Sequence, residues 1–146
     1  IIRFILIPIL YMTLFRLAPS IVFLALILAS CADEEPIVPE VDPKDKFIGT
    51  WNVKEEIGGS VTGNYPSTVT KDSTNTSRIL IYNIFNLGAA QRVQALVANN
   101  TLDISQQSIT GISIAGSGTY SGTGFILNYT SDDGSGAQTV KATYTK

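Results

Sequence analysis

Phe47-Ile48-Gly49-Thr50-Trp51-Asn52-Val53-Lys54-Glu55-Glu56-Ile57 is the stretch from which the fold can be read. Successive side chains of an extended chain point to opposite sides, so residues 50–57 place Trp51, Val53 and Ile57 on one face. Gly58-Gly59 then closes the run with a turn. Working outward, similar short runs recur at 65–71, 78–85, 92–97, 102–108, 112–120, 124–130 and 138–145, separated by turn residues and lacking helical periodicity. Pro66 marks the second run as an edge or a strand start. Asn99-Asn100 is a tight turn that tolerates positive φ, and Gly116 with Gly118 predicts a bend or bulge. The last two runs set Phe125, Leu127 and Tyr129 against Val140, Ala142 and Tyr144 across the loop 132–136.

Eight runs joined by short connections predict an all-β domain over residues 47–146. The favoured form is an eight-stranded antiparallel up-and-down barrel, because closure removes exposed strand edges. A two-sheet β-sandwich built from the same strands is the alternative. Gly49-Thr50-Trp51, preceded by Phe47-Ile48, resembles the G-x-W signature of the lipocalin and calycin barrels. That resemblance implies a lipocalin-like barrel in which Gly49 and Trp51 are fold-signature residues and Trp51 packs across the barrel base. The family usually stacks an arginine from near the last strand on this tryptophan. Here no arginine follows Arg92, which leaves Lys141 or Lys146 for that place. The domain is also smaller than most of that family, so a barrel filled by its own side chains is one expectation and a ligand cavity the other.

Upstream of the domain the composition changes twice. Residues 32–46 carry six acids against two lysines, and Pro36, Pro39 and Pro43 favour extended chain, so this segment reads as an acidic, semi-rigid linker. Residues 1–31 are largely apolar and read as a signal peptide, with Met12 as the expected true start, Arg16 in a basic n-region and 17–28 as the apolar core. Each apolar run is about a dozen residues, short of the roughly 20 that span a bilayer, and joining the runs would bury Arg16 at a cost of about 2.5–3.5 kcal/mol.

Leu28-Ala29-Ser30-Cys31 resembles the lipobox of bacterial lipoproteins, which implies lipidation of Cys31 and a membrane anchor there. The acidic Ala32-Asp33-Glu34-Glu35 that follows resembles the surface-export signal of Bacteroidota lipoproteins. The chain as a whole looks like the small lipocalin-like lipoproteins of Bacteroidota, which implies an outer-membrane, lipid-anchored, surface-exposed protein. Asp72-Ser73-Thr74 matches the short O-glycosylation pattern of exported proteins from that group, making Ser73 a candidate acceptor.

The chemistry is bounded by what is missing. With no histidine and one cysteine, His-dependent triads, multi-Cys or His metal sites and an internal disulfide are excluded for these residues. Glu55 and Glu56 point to opposite faces of a strand and cannot act as a pair. No metal ligand set or cofactor motif stands out, and the domain carries six basic and six acidic side chains with no basic patch, which speaks against nucleic acid. A non-enzymatic protein is therefore expected. Trp51, Tyr82, Phe125, Tyr129 and Tyr144 are the candidates to line a pocket for a small apolar ligand, and the same residues would equally serve as core. A protein partner, met by the outer face or loops of a filled barrel, is the competing expectation.

Overall fold

A computed structural model describes residues 41–146. The expected signal peptide, the lipobox-like stretch with Cys31 and most of the expected linker lie outside the described residues. The strands β1 (Gly49–Ile57), β2 (Ser60–Lys71), β3 (Arg78–Tyr82), β4 (Arg92–Ala98), β5 (Thr101–Ile109), β6 (Ile112–Tyr120), β7 (Gly124–Asp132) and β8 (Gln138–Thr145) follow in order. Each pairs antiparallel with the next, and β1 pairs with β8 from Asn52↔Thr145 to Ile57↔Val140. The sheet is thus a closed up-and-down barrel, and the sandwich alternative falls away.

Two strand boundaries differ from the sequence reading by more than two residues. β2 begins at Ser60 rather than 65, and β3 stops at Tyr82 rather than 85 because Asn83 takes a left-handed conformation (φ 59°). β2 pairs with β3 only over Val69↔Ile81 to Lys71↔Ile79, so Pro66 lies beyond that ladder, where β3 makes no demand on its missing N–H. Side chains bridge the gap instead. Ser67 Oγ donates to the Tyr82 carbonyl (2.6 Å) and Asn83 Nδ2 to the Pro66 carbonyl (2.8 Å).

Closing eight strands into a narrow barrel demands close backbone approaches and local kinks. Gly116 supplies one such approach, since a Cβ there would lie 2.3 Å from the Asn128 carbonyl oxygen. Opposite it, Ile104 pairs with Gly116 but Gln107 pairs with Ile114, so the bend expected at Gly116 comes with a bulge on β5. A second irregularity falls where Glu55 faces Gly63 while Glu56 faces Val61, which leaves one extra residue on β2.

Inward-facing residues of all eight strands form one core. At the base, the Trp51 indole donates to the Phe47 carbonyl (2.8 Å) and meets the Phe125 ring edge-on at 5.2 Å. Phe125 in turn stacks on Tyr144 at 4.1 Å, and Phe47 packs edge-on against both Phe125 and Tyr120. Each fully buried side chain of this size stabilises the fold by about 1.5–3 kcal/mol. Lys146 Nζ sits 4.5 Å from the Trp51 ring centroid, in the position that the missing arginine would hold.

The described end of the linker is a turn rather than extended chain. Asp45 N donates to the Asp42 carbonyl (3.0 Å) and Phe47 N to the Lys44 carbonyl (2.9 Å), while Lys71 pairs with both Asp42 (2.8 Å) and Asp45 (2.6 Å). The Lys71 ammonium, helped by Lys44, holds the Asp42 carboxyl well below the usual carboxylate range. Exposed pairs of this kind contribute little individually, because solvent screens them.

Candidate functional site

The alternation that buries Trp51 and Val53 also buries Glu55, which is 4% exposed and faces the barrel interior. Around it, β2 contributes Tyr65 and β7 contributes Tyr129, and both phenol hydroxyls donate to the same carboxylate oxygen, Oε1. Tyr144 brings a third hydroxyl that is fully buried and has no hydrogen-bond partner. Its neighbour Ser67 has its proton committed to the Tyr82 carbonyl. Burial first, and then the adjacent Glu55, pushes all three phenols well above the ordinary tyrosine range, so they remain protonated donors.

Glu55 Oε2 accepts from neither tyrosine. It faces Gly63, where an added Cβ would lie 3.7 Å from Oε2 and 3.4 Å from the Tyr65 ring. The absence of a side chain at Gly63 therefore leaves contact space for a single carbon beside this oxygen. Above this cluster the β3–β4 connection folds inward as a 3₁₀ turn, Ile84–Asn86. Ile84 is fully buried, and the Phe85 ring meets Tyr129 edge-on at 6.3 Å. Asn83, Phe85 and Asn86 all have positive φ (59°, 54°, 53°). That conformation costs an aromatic L-residue about 1–2 kcal/mol, so the plug at Phe85 is held in place under strain.

The residues expected to line a pocket are divided by the structure. Trp51, Phe125 and Tyr144 belong to the packed base, and Tyr129 reaches into the polar cluster. Tyr82 does not line the interior: Ile79 and Ile81 take the inward positions of β3, and Tyr82 is half-buried on the outer face with the Arg92 guanidinium 5.8 Å from its ring. Glu55 and Tyr65 were missed as site residues. The signal was present, since Glu55 stands between Val53 and Ile57 on the face that holds Trp51. Ser73 is exposed beside an Asp72 side chain engaged by Thr74 N (2.8 Å) and Oγ1 (2.7 Å).

Outside the barrel, a hollow of about 380 Å³ lies against Pro66, Thr68, Thr70, Tyr82, Asn83 and Ala89, where β2 and β3 part. Among the described residues no group of three or more acidic, Cys or His side chains is arranged to hold a metal ion.

No protein-family model matches the chain, and no curated protein matches it. Among solved structures the barrel is similar to EF1p2_mFAP2b, determined bound to DFHBI, with a TM-score of 0.53 and 17% identity over 72% of this chain and 97% of that one. The likeness is one of fold. It agrees with a lipocalin-like β-barrel, and the bound DFHBI is a property of that protein.

Proposed function

We propose that this chain is a non-enzymatic, lipid-anchored protein of the outer membrane, exposed at the cell surface, whose barrel binds a small apolar ligand at its upper end. The observation that carries the ligand reading is the cluster of Glu55, Tyr65, Tyr129 and Tyr144 within an apolar barrel. Ligand pockets combine apolar walls with a few convergent polar groups, and here a carboxylate, two phenols bonded to it and one buried hydroxyl without a partner converge. A buried phenol without a partner costs about 1–3 kcal/mol, which a polar group on a ligand would recover. The similar barrel of EF1p2_mFAP2b holds DFHBI, which supports a small molecule as the class of ligand.

The anchor reading rests on Leu28-Ala29-Ser30-Cys31 and the acidic residues after it. Cys31→Ser is expected to release the protein from membranes, and unchanged fractionation would overturn the anchor. For the ligand, native mass spectrometry of the purified protein and a thermal-shift screen of small aromatic and lipid compounds provide the test. A co-purifying molecule or a clear rise in Tm supports the reading, and a flat response across the screen contradicts it.

The packed base and the outer hollow beside Tyr82 favour a second reading, a protein-interaction module with a filled barrel. In that case substitutions at Tyr82 would abolish function, whereas substitutions at Glu55 would change stability alone.

A further inference from the structure

We infer that residues 82–94, the upper part of the β3–β4 hairpin with its connection, form a lid that opens and closes as one body over the mouth of the barrel. The inference goes beyond the ligand reading and stands without it. It starts from an unevenness in the sheet. β6, β7 and β8 are paired along nearly their whole lengths, from Ser113↔Asp132 to Tyr120↔Phe125 and from Gly124↔Thr145 to Ser131↔Gln138. The β3–β4 hairpin is paired within itself from Arg78↔Leu96 to Tyr82↔Arg92, yet it joins the rest of the barrel only near the base. On one flank its ladder with β2 goes no higher than Val69↔Ile81, and on the other its ladder with β5 goes no higher than Leu96↔Asp103. Paired strands open together, so a hairpin that has lost its ladders on both flanks can open alone.

Side chains close the two gaps. Toward β5 the Gln107 amide takes the place of a peptide group: its Oε1 accepts from Gln94 N (2.9 Å) and its Nε2 donates to the Gln94 carbonyl (2.6 Å). Toward β2 the Ser67 and Asn83 side chains donate to the carbonyls of Tyr82 and Pro66. A hollow lies along each gap, about 380 Å³ beside Pro66 and Tyr82 and about 220 Å³ beside Gln94, Ser105 and Gln107. Buried Ile84 and Val93 hold the lid shut by apolar contact, and the Phe85 ring rests on Tyr129.

Within itself the lid is braced. Asn83 N donates to the Gln91 carbonyl (2.9 Å), Gln91 N to the Gly88 carbonyl (2.9 Å), Leu87 N to the Ile84 carbonyl (3.1 Å) and Gly88 N to Asn83 Oδ1 (2.8 Å). None of these bonds reaches outside the lid, so all of them survive its opening. Opening therefore breaks the clasps at Gln107, Ser67 and Asn83 Nδ2, withdraws Ile84 and Phe85, and uncovers Tyr65 and Tyr129 at the mouth.

Thiol labelling of the native protein provides the test. In the full chain carrying Cys31→Ser, one thiol is placed on the lid by Ile84→Cys and another, as a control, on the fully paired β7 by Leu127→Cys. Both positions are fully buried. A lid that opens without global unfolding predicts that a thiol reagent modifies the position-84 variant roughly tenfold or more faster than the position-127 variant. Adding Gln107→Ala should speed labelling at 84 about fivefold and leave 127 unchanged, since only the clasp has gone. Amide exchange of the unsubstituted protein is the second measurement: Gln94 N–H, bonded across the gap, should exchange faster than Asn83 and Gln91 N–H, bonded within the lid. Equal labelling at 84 and 127, or a rate at 84 that ignores Gln107→Ala, would overturn the lid. Exchange of Asn83 and Gln91 as fast as Gln94 would show unravelling in place of a moving body and would overturn it equally.

Discussion

The two ends of the barrel are built from similar residues to opposite effect. At the base, Phe47, Trp51, Phe125 and Tyr144 meet ring against ring, the indole N–H has its acceptor, and Lys146 covers the outer side of Trp51. At the upper end, Tyr65 and Tyr129 surround a buried carboxylate and the covering residue Phe85 sits in a conformation its side chain disfavours, while the Tyr144 ring of the base carries an unpaired hydroxyl. Aromatic content does not distinguish a core from a site here. Polar content does: the base is rings packed on rings with one indole N–H that has its acceptor, whereas a buried carboxylate and its phenol donors gather above it.

Substitutions can break or sharpen that contrast. The largest effect is expected at the base, where Trp51→Ala removes the indole shared by Phe47, Phe125 and Lys146 and should cost about 3–5 kcal/mol in denaturant unfolding. A loss below 1 kcal/mol would mean that the base is not the packed end.

Alkaline melting comes next. In the unfolded chain tyrosines ionise near pH 10, whereas Tyr65, Tyr129 and Tyr144 stay protonated in the fold. Stability is therefore full below about pH 10 and falls as pH rises beyond it, by about 1.4 kcal/mol per pH unit for each of these tyrosines. Tyr144→Phe should reduce that slope by about a third, and an unchanged slope would contradict the burial of its hydroxyl.

At neutral pH the same tyrosines separate by partner. Tyr129→Phe takes one of two donors from Glu55 and should cost about 1.5–3 kcal/mol, whereas Tyr144→Phe removes an unpaired hydroxyl and should be neutral or stabilising. Equal losses would erase the distinction drawn between satisfied and unsatisfied groups. The smallest effect is expected at the plug. Phe85→Gly relieves a left-handed aromatic residue while giving up its contact with Tyr129, so Tm should change little while amide exchange at 84–87 accelerates.

Much of this fold was legible before any coordinates. The alternation of Trp51 and Val53, the turn at Gly58-Gly59 and the facing aromatics of β7 and β8 led to eight paired strands, and Gly49-Thr50-Trp51 pointed to the base. Even the substitute for the absent arginine was narrowed to two lysines, of which Lys146 takes the place. The site was less legible for two physical reasons. β3 is apolar on both faces, so periodicity carried no phase, and Tyr82 was assigned to the interior although it faces out. Glu55 was read as one of two acids on opposite faces without following the inward one to its consequence. Its partners Tyr65 and Tyr129 are 10 and 74 residues away, a proximity that closure creates and linear spacing conceals.

The central claim is that ligands enter the upper end of the barrel and meet Glu55 there. Methyl NMR of isoleucine-labelled protein, titrated with the screened compound that raises Tm most, tests it most directly, because isoleucines mark each region: Ile57, Ile84 and Ile112 around the upper end, Ile126 on the outer wall. The account predicts saturable shifts at Ile57, Ile84 and Ile112 that weaken in Glu55→Gln, with Ile126 unmoved. Shifts confined to Ile126, or none at the upper end, would contradict it.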